Sequence, residues 1–455
     1  MPESIKSAEE IPGTDGLPFL GDAIDLFTLK ELYYWNCFQR YGNIFKAKIL
    51  GMHVAFLVGP DANQFVLKDC VDRFSSEIGY SFLEPILGGG ILLQDGDKHQ
   101  ATRRLMSPAF HGRAVANYFD TIQNTSNRFL KNQERQGEFL LIEFFRKLTL
   151  EISCKLFLGT KTTHEIDEIG RLFSDFVEGQ LTILRLDTPM TKFGRALEGR
   201  RRIEGYIHSA IDQRRRQEDF NASQDVLGLL MTSIEEEGRC LSDSEIVTQS
   251  LQLLFAGHET SAKLLCWLLF ELAFKPEWVK RLREEQNCVI GNGLVTPFHL
   301  RQLTQMNYVL KEIERLYPPV YGIPRGVVRD VIYAGYHIPH EWQVVISPLL
   351  THRMSELYTN PDLFDPDRFA PPREEHKKHP FALIGFGGGA HKCLGYELAQ
   401  MEIKITLLTL LRHYNWIITP AYLSTTPVRQ PTEIERILKI QILKRSTLFT
   451  PPIAE

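Results

Sequence analysis

The run IGFGGGAHKCLG, from Ile384 to Gly395, restricts the fold more than any other feature of this sequence. It places several glycines, a histidine, a lysine and a cysteine directly before the helical sequence LGYELAQMEIKITLLTLL. Glycines let the backbone adopt positive φ and approach another group closely, at an entropic cost that a simple linker need not carry. The run therefore predicts that another group lies against this loop.

Four interpretations of this glycine loop can be compared. A phosphate loop needs Ser or Thr after its lysine, but Cys393 follows Lys392. A zinc site needs more Cys or His at short spacing, and only His391 is close. A lone cysteine is ordinarily an inert, buried side chain. The loop also suits a large flat cofactor, because a helix N-terminus and backbone N–H groups would stabilise a thiolate ligand for its metal, and the residues around Cys393 favour this interpretation over an inert cysteine.

Composition narrows the class of protein. The chain has 455 residues, 43% hydrophobic and 24% charged, which is typical of a globular protein with a large core. A net charge of -4 gives no basic footprint for nucleic acid. Seven cysteines without metal-finger spacing indicate a reducing compartment. The polar start MPESIKSAEE and the lack of an apolar run of membrane-spanning length predict neither signal peptide nor membrane span, hence a cytoplasmic protein.

Apolar periodicity predicts a mainly α protein with small β-sheets, and no linker or repeat divides the chain, so we expect one domain over 1–455. The predicted long helices cover roughly 113–135, 143–158, 165–180, 196–219, 242–275 and 304–316. Strands are predicted in FKAKILGMHVAFLVG around Gly51 and Met52, in VIYAGYHIP, in WQVVISPLL and near ILKIQIL.

The glycine loop also carries a family resemblance. FGGGAHKCLG matches the haem-binding signature of cytochrome P-450 monooxygenases, F-x-x-G-x-H/R-x-C-x-G, at Phe386, Gly389, His391, Cys393 and Gly395. The resemblance implies the cytochrome P-450 fold and haem b with Cys393 as the axial ligand. A thiolate in that position gives the iron electron density that favours O–O cleavage.

The longest predicted helix contains LLFAGHETSAKLL, which resembles the oxygen-activation motif [AG]-G-x-[DE]-T of that family. In this interpretation Ala256 and Gly257 leave room beside bound O₂, Glu259 passes protons inward, and Thr260 hydrogen-bonds within the helix. Considered alone, such a threonine is more often structural and such a glutamate more often solvated.

Two further groups of residues follow from the resemblance. Glu312 and Arg315 in LKEIERLYPP match the E-x-x-R pair, which an arginine of a later segment completes, here Arg368 in DPDRF. Their implied role is to hold the loop that carries Cys393. The implied haem-propionate ligands are Arg103, Arg325, His391 and His99, the last in place of the family's tryptophan. Each of these four could equally be a surface charge.

The substrate-lining segments implied by the resemblance are largely apolar, namely FSSEIGYSFLEPIL, FVEGQLTILRLDTP, Leu253 to Ala256, VYGIP and TTPVRQP. The whole set looks most like the retinoic-acid-hydroxylating branch and its soluble cyanobacterial relative. We therefore predict hydroxylation of a lipophilic substrate, a retinoid or another isoprenoid. The alternatives are a fatty-acid or terpenoid hydroxylase, a peroxide-using haem-thiolate enzyme and a non-catalytic haem sensor or ligand carrier.

The sequence shows no flavin or nicotinamide region beside the haem domain. We therefore expect electrons from a separate ferredoxin or flavodoxin and its reductase. Lys377 and Lys378, shortly before the glycine loop, and Lys392 inside it are candidate contacts for an acidic ferredoxin.

Overall fold

A computed structural model of the protein describes residues 5–134, 136–160, 162–179, 182, 185–216, 225–234, 238–419 and 431–445. Its helices are α1 (Ala23–Leu29), α2 (Glu31–Tyr41), α3 (Pro60–Gln64), α4 (Ser76–Gly79), α5 (Glu84–Leu87), α6 (Gly96–Met106), α7 (Gly112–Asn117), α8 (Phe119–Gln133), α9 (Leu141–Ser153), α10 (Thr163–Gly179), α11 (Lys192–Arg215), α12 (Val226–Thr232), α13 (Asp243–Ala273), α14 (Pro276–Val289), α15 (Pro297–Gln302), α16 (Thr304–Leu316), α17 (Pro348–Thr351), α18 (Tyr396–His413) and α19 (Pro431–Glu435). Its strands are β1 (Ile44–Ile49), β2 (Met52–Leu57), β3 (Phe74–Ser75), β4 (Phe139–Leu140), β5 (Ile323–Val327), β6 (Val331–Tyr333), β7 (Tyr336–Ile338), β8 (Gln343–Ile346), β9 (Tyr414–Thr419) and β10 (Lys439–Lys444). The prediction of a mainly α protein with small sheets is confirmed.

Helix α13 lies in the core of the helical part. It begins with a capping box, in which the Ser242 hydroxyl accepts the N–H of Glu245 and the Glu245 carboxylate accepts the N–H of Ser242. Most of its side chains are buried, and it packs against α9, α11, α16 and α18. A helix that is apolar on nearly all faces must be surrounded by other elements. This explains why one helix can contribute residues to several neighbouring parts of the molecule.

The strands form three small sheets among the described residues. The largest has the order β1-β2-β8-β5-β3, with a parallel pair only between β2 and β8. The others are β4-β10-β9 and the hairpin β6-β7. The turn between β1 and β2 is made by Leu50 and Gly51, both with positive φ. Strand β5 is paired on both sides, with β8 and with the edge strand β3, and it carries the buried Arg325.

The predicted element boundaries are mostly correct to within a few residues, with two informative exceptions. The helix predicted over 113–135 is broken at Tyr118, whose hydroxyl donates to the carbonyl of Ala109. The strand prediction for WQVVISPLL is wrong after Ile346, because the Ser347 hydroxyl accepts the N–H of Leu350 and starts α17. At Ser347 a side-chain hydrogen bond prevails over apolar patterning. At Tyr118 the backbone turn tightens instead, because the N–H of Tyr118 donates to the carbonyl of Val115, three residues earlier, at 3.1 Å.

No helix in the described ranges combines the length and apolar character needed to cross a membrane.

Candidate functional site

The loop before α18 holds Cys393 in a fixed backbone geometry. The N–H of Cys393 donates to the carbonyl of Phe386 at 2.8 Å. Gly387 and Gly389 have φ values of +71° and +61°, where other residues are strained. A Cβ at Gly389 would lie 2.1 Å from the carbonyl oxygen of Leu67. The glycines predicted to allow close approach therefore do so, and at Gly389 the approaching group is the backbone of the chain itself.

The Cys393 side chain combines burial with access. Burial raises the pKa of its thiol, and a hydrogen bond from the N–H of Gly395 together with the charge of Arg103 acts in the opposite direction. The residue nevertheless keeps accessible surface. Gly395 lies beside the sulfur, since a Cβ there would be in ordinary van der Waals contact with the Cys393 Sγ at 4.0 Å. The sulfur is thus presented within the protein, beside groups that favour its thiolate form.

The four residues predicted as propionate ligands lie together. His99 and His391 stack with ring centroids 3.9 Å apart and planes 25° apart. Burial, then the charge of Arg325 and the neighbouring His99, lowers the pKa of His391 to about 3. Burial and the charge of Arg103 also lower the pKa of His99. Both imidazoles are therefore neutral near pH 7, flanked by two guanidinium groups.

This cluster fits the two carboxylates of a haem. Among the described residues, no carboxylate forms an ion pair with Arg103 or Arg325, and Arg325 is only 5% exposed. The nearest acid is Asp95, whose Oδ1 is 3.9 Å from Nε2 of His391 and which also accepts the hydroxyl of Ser75. Buried cations without anions are costly, so a dianionic ligand at this place would stabilise them. The donor set and the adjacent thiol match what haem b requires.

Two residues of the motif on α13 face different surroundings. Ala256 is exposed although Leu253 and Leu254 beside it are buried, so one face of the helix borders internal space. A Cβ at Gly257 would instead lie 2.8 Å from the ring of Phe157. Gly257 therefore permits close packing of α13 against the segment after α9, so Ala256 is the exposed residue of the two that were predicted to leave room beside O₂.

The hydroxyl of Thr260 donates to the carbonyl of Ala256 at 2.6 Å, the hydrogen bond within the helix that the sequence predicted. The carboxylate of Glu259 contacts a different helix. It forms a bidentate ion pair with Arg146 of α9 at 2.7 and 2.8 Å, and Lys263 lies 3.8 Å away. Burial opposes ionisation of Glu259, but the hydrogen bonds from Arg146 and the charge of Lys263 bring its pKa below the usual value. Its predicted proton transfer would require this ion pair to open.

The predicted network on α16 is assembled and fully buried. Arg315 donates to both carboxylate oxygens of Glu312 at 2.7 and 2.8 Å, and Arg368 donates to the same carboxylate at 3.1 Å. All three side chains are 0% exposed. The carboxylate of Glu375 accepts a further hydrogen bond from Arg368 at 2.8 Å, and this member of the network was not predicted from the sequence. Breaking one member would leave a buried charge unpaired.

Other polar residues near the site were also missed. Glu314 of α16 is 6% exposed, and burial raises its pKa to about 7. His352 is fully buried, and its Nε2 accepts the N–H of Ile384 at 2.9 Å. Glu402 of α18 is 4% exposed, with one carboxylate oxygen unpartnered. Glu402 interrupts a largely apolar run, but Glu314 and His352 each stand next to another charged residue, so the sequence gives no signal that these two are buried.

The predicted substrate-lining segments converge where the structure describes them. The guanidinium of Arg185 donates a hydrogen bond to the carbonyl of Phe82, and a Cβ at Gly79 would lie 2.6 Å from the carbonyl oxygen of Pro324. Phe176 and Phe255 have ring centroids 6.1 Å apart. Residues 425–430 of TTPVRQP and residues 180, 181, 183 and 184 lie outside the described residues.

The predicted redox-partner lysines are exposed, but each has a local contact. Lys377 pairs with Glu374, Lys378 donates to the carbonyl of Leu357 at 2.8 Å, and the Lys392 ammonium lies 4.9 Å from the ring centroid of Tyr396. These contacts leave the positive charges at the surface.

Comparisons with known proteins agree with this arrangement. The family model described as Cytochrome P450 matches residues 11–437. A solved structure titled retinoic acid bound cyanobacterial CYP120A1 is 27% identical, covers 97% of this chain and 100% of that chain, and superposes with a TM-score of 0.88. Cytochrome P450 26A1 of Danio rerio is 29% identical over 93% of this chain and 88% of its own. Taxane 10-beta-hydroxylase of Taxus cuspidata is 27% identical over 89% of this chain and 83% of its own.

The family binds haem b and consists of oxidoreductases, as the thiol, the cation cluster and the motif on α13 led us to expect. With a match over nearly its whole length and a shared fold, this chain belongs to the cytochrome P450 family of haem-dependent monooxygenases.

Proposed function

We propose that this monooxygenase inserts one oxygen atom of O₂ into a lipophilic isoprenoid, and that retinoids are its substrate class. The observation that carries the substrate class is the likeness, over 97% of the chain, to a structure with retinoic acid bound. The apolar segments around Phe176, Phe255 and Pro324 support it, because lipophilic ligands bind where apolar side chains converge.

The residues of this chain would hold the haem from two sides. Cys393 is the proposed axial ligand, and Arg103, Arg325, His99 and His391 are the proposed propionate ligands. Phe386 and Gly395 shape the loop, and Ala256 leaves room on the opposite side. When bound, haem with a thiolate ligand supplies O₂ activation, since the thiolate favours O–O cleavage.

The polar residues of α13 have separate proposed tasks. The hydroxyl of Thr260 donates its proton to the carbonyl of Ala256, so its oxygen is free to accept a hydrogen bond and to orient a proton donor in the space beside Ala256. Glu259, held by Arg146 and Lys263, takes up protons from outside and releases them inward when its ion pair opens. Glu312, Arg315 and Arg368 keep the Cys393 loop in place.

Electrons come, in this proposal, from a ferredoxin or flavodoxin and its reductase, in the cytoplasm. The exposed lysines Lys377, Lys378 and Lys392 are the proposed contacts. The seven cysteines, all free in the structure, support a reducing compartment.

The ligand assignment is tested by Cys393→His. A thiolate opposite carbon monoxide gives the reduced haem its red-shifted Soret band, so we expect the variant to lose that band. Cys288→His, which changes an exposed cysteine on α14, is the matched control and should keep it. Retention of the band in Cys393→His would exclude Cys393 as the ligand.

The substrate class is tested by spectral titration with retinoids, fatty acids and terpenoids. Tighter binding of retinoids supports the proposal. Preference for terpenoids would instead favour the second candidate, a terpenoid hydroxylase, which the likeness to taxane 10-beta-hydroxylase supports. Turnover with reductant, compared with peroxide alone, separates both from a peroxide-using enzyme, and no turnover with either would indicate a sensor or carrier.

A further inference from the structure

Glu314 is an ionisable side chain buried on the side of α16 that faces the glycine loop. Its neighbours Leu310, Ile313 and Leu316 on the same helix are buried apolar residues, and Glu314 itself is only 6% exposed. A carboxylate in such a position costs several kcal/mol unless hydrogen bonds or cations compensate it. Its surroundings must therefore contain groups that stabilise it.

The compensating groups belong to the loop that leads to Cys393. The backbone N–H groups of Gly385 and Phe386 act as donors toward the carboxylate of Glu314 and lower its pKa, against the effect of burial. A Cβ at Gly385 would lie 2.4 Å from Cγ and 2.9 Å from Oε1 of Glu314. Gly385 does not have positive φ. Its lack of a side chain is thus explained by the approach of Glu314.

This contact continues directly to the cysteine. The carbonyl of Phe386, in the residue whose N–H reaches Glu314, accepts the N–H of Cys393 at 2.8 Å. The preceding N–H, of Ile384, donates to Nε2 of His352, whose Nδ1 lies 3.3 Å from the carbonyl of Arg315. Three consecutive N–H groups of the loop are therefore fixed by acceptors outside it, and Glu314 supplies two of these contacts.

Glu314 also adds negative charge near the sulfur. The negative charge of Glu314 raises the pKa of the Cys393 thiol, because it disfavours a second negative charge nearby. The cations that act on Glu314 are Lys311 of its own helix and Lys392 of the loop. Lys311 is shared with His376, since its Nζ lies 3.2 Å from Nε2 of that residue. Two phenols, Tyr358 and Tyr396, are within the electrostatic reach of Glu314 from the other sides.

We propose that Glu314 is a positioning residue for the Cys393 loop and that its carboxylate lowers the reduction potential of the haem held by that cysteine. The loop is fixed through the N–H groups of Gly385 and Phe386. A nearby negative charge disfavours the electron that reduction adds, because like charges repel more strongly where water is excluded. The inference rests on the proposed role of Cys393 as haem ligand.

The test is Glu314→Gln in the haem-loaded protein, with Glu397→Gln as the matched control. Glu397 lies at the start of α18 and is exposed, and its charge, like that of Glu314, raises the pKa of Tyr396. The potential and the amide exchange are measured at pH 8, where Glu314, with its pKa raised to about 7, is mostly ionised. We expect Glu314→Gln to keep the thiolate Soret band of the reduced carbon monoxide complex and to shift the midpoint potential upward. We expect Glu397→Gln to leave the potential near that of the wild type.

Hydrogen exchange gives a readout that does not depend on the haem. When a charged acceptor becomes neutral, the amides of Gly385 and Phe386 should exchange about tenfold faster. Glu314→Met removes both acceptor atoms and should show at least this increase. If the potential and the exchange in Glu314→Gln equal those of the wild type while the thiolate band is present, the proposal for Glu314 is wrong. Absence of the band in the wild type would instead overturn the ligand assignment and this inference with it.

Discussion

The side chain of Thr260 shows how one hydrogen bond can serve two purposes. Its hydroxyl donates to Ala256, which is an ordinary bond for threonine in a helix. The carbonyl that it uses belongs to the one exposed residue in that stretch of α13. The same hydroxyl can therefore stabilise the helix and stand beside the space where oxygen chemistry is proposed.

Replacing this hydroxyl should separate the two purposes. In Thr260→Ala we expect haem content and substrate binding close to wild type, but product formed per electron lower by about an order of magnitude, with the electrons recovered as hydrogen peroxide. Thr260→Ser keeps the hydroxyl and should couple nearly as well as the wild type. The measurement is product and peroxide per reductant consumed. Wild-type coupling in Thr260→Ala would show that Thr260 has only a structural role.

The contact between α13 and α18 contains a buried acid that makes stability depend on pH. Burial raises the pKa of Glu402 to about 8, while a hydrogen bond with Ser261 acts in the opposite direction. In the unfolded chain the same group has its ordinary pKa near 4.5. Between these two values the folded state keeps a proton that the unfolded state has lost, so the free energy of unfolding falls as pH rises.

Glu402→Gln should remove this dependence. We expect the variant to equal the wild type near pH 4 and to be more stable at pH 8, by about 4 kcal/mol. Urea unfolding of the haem-loaded protein at both pH values is the measurement. A stability difference between variant and wild type that is the same at both pH values would mean that Glu402 does not carry the buried proton.

The glycine loop gives a prediction about an element rather than a single contact. Gly389 and Gly96 both have positive φ, but a Cβ at Gly389 would collide with the carbonyl of Leu67, whereas a Cβ at Gly96 would meet open space. Gly96→Ala should therefore cost about 1 kcal/mol, from backbone conformation alone. Gly389→Ala should cost about 3 kcal/mol and reduce the fraction of protein with thiolate-bound haem, since the collision is with backbone.

Thermal unfolding and the reduced carbon monoxide spectrum measure these two effects. Equal losses in the two alanine variants would contradict the proposed packing of the loop on the segment around Leu67.

The elements that sequence predicts well are those with local causes. The bounds of α13 and α16 follow from apolar periodicity, and the cysteine loop follows from its glycines and their spacing. The contacts of Glu259 with Arg146 and of Glu314 with Gly385 join distant parts of the chain, so no local pattern contains them. The one-domain organisation over 1–455 stays a prediction.

At the scale of the whole molecule, the glycine loop lies close to a surface that carries several cations. Tyr358 joins the two, because its hydroxyl donates to the carbonyl of Ala382, shortly before the loop, while the neighbouring Leu357 holds Lys378. An electron donor that docks at these lysines would approach the haem from the side of the cysteine. Attraction between its acidic surface and the lysines would act over about 8 Å at physiological ionic strength.

We therefore expect Lys377→Glu combined with Lys378→Glu to slow reduction by ferredoxin, most strongly at low salt, where screening is weakest. Substrate affinity should be unchanged, because the proposed substrate segments lie around Phe176 and Pro324 and include neither lysine. The matched control is Lys439→Glu combined with Lys444→Glu, which makes the same change in net charge at two exposed positions of strand β10. Stopped-flow reduction across a salt series is the measurement. If both double variants slow reduction equally, the effect comes from net charge alone. If neither differs from the wild type, the donor docks elsewhere. Either result rejects the docking surface and leaves the monooxygenase assignment intact.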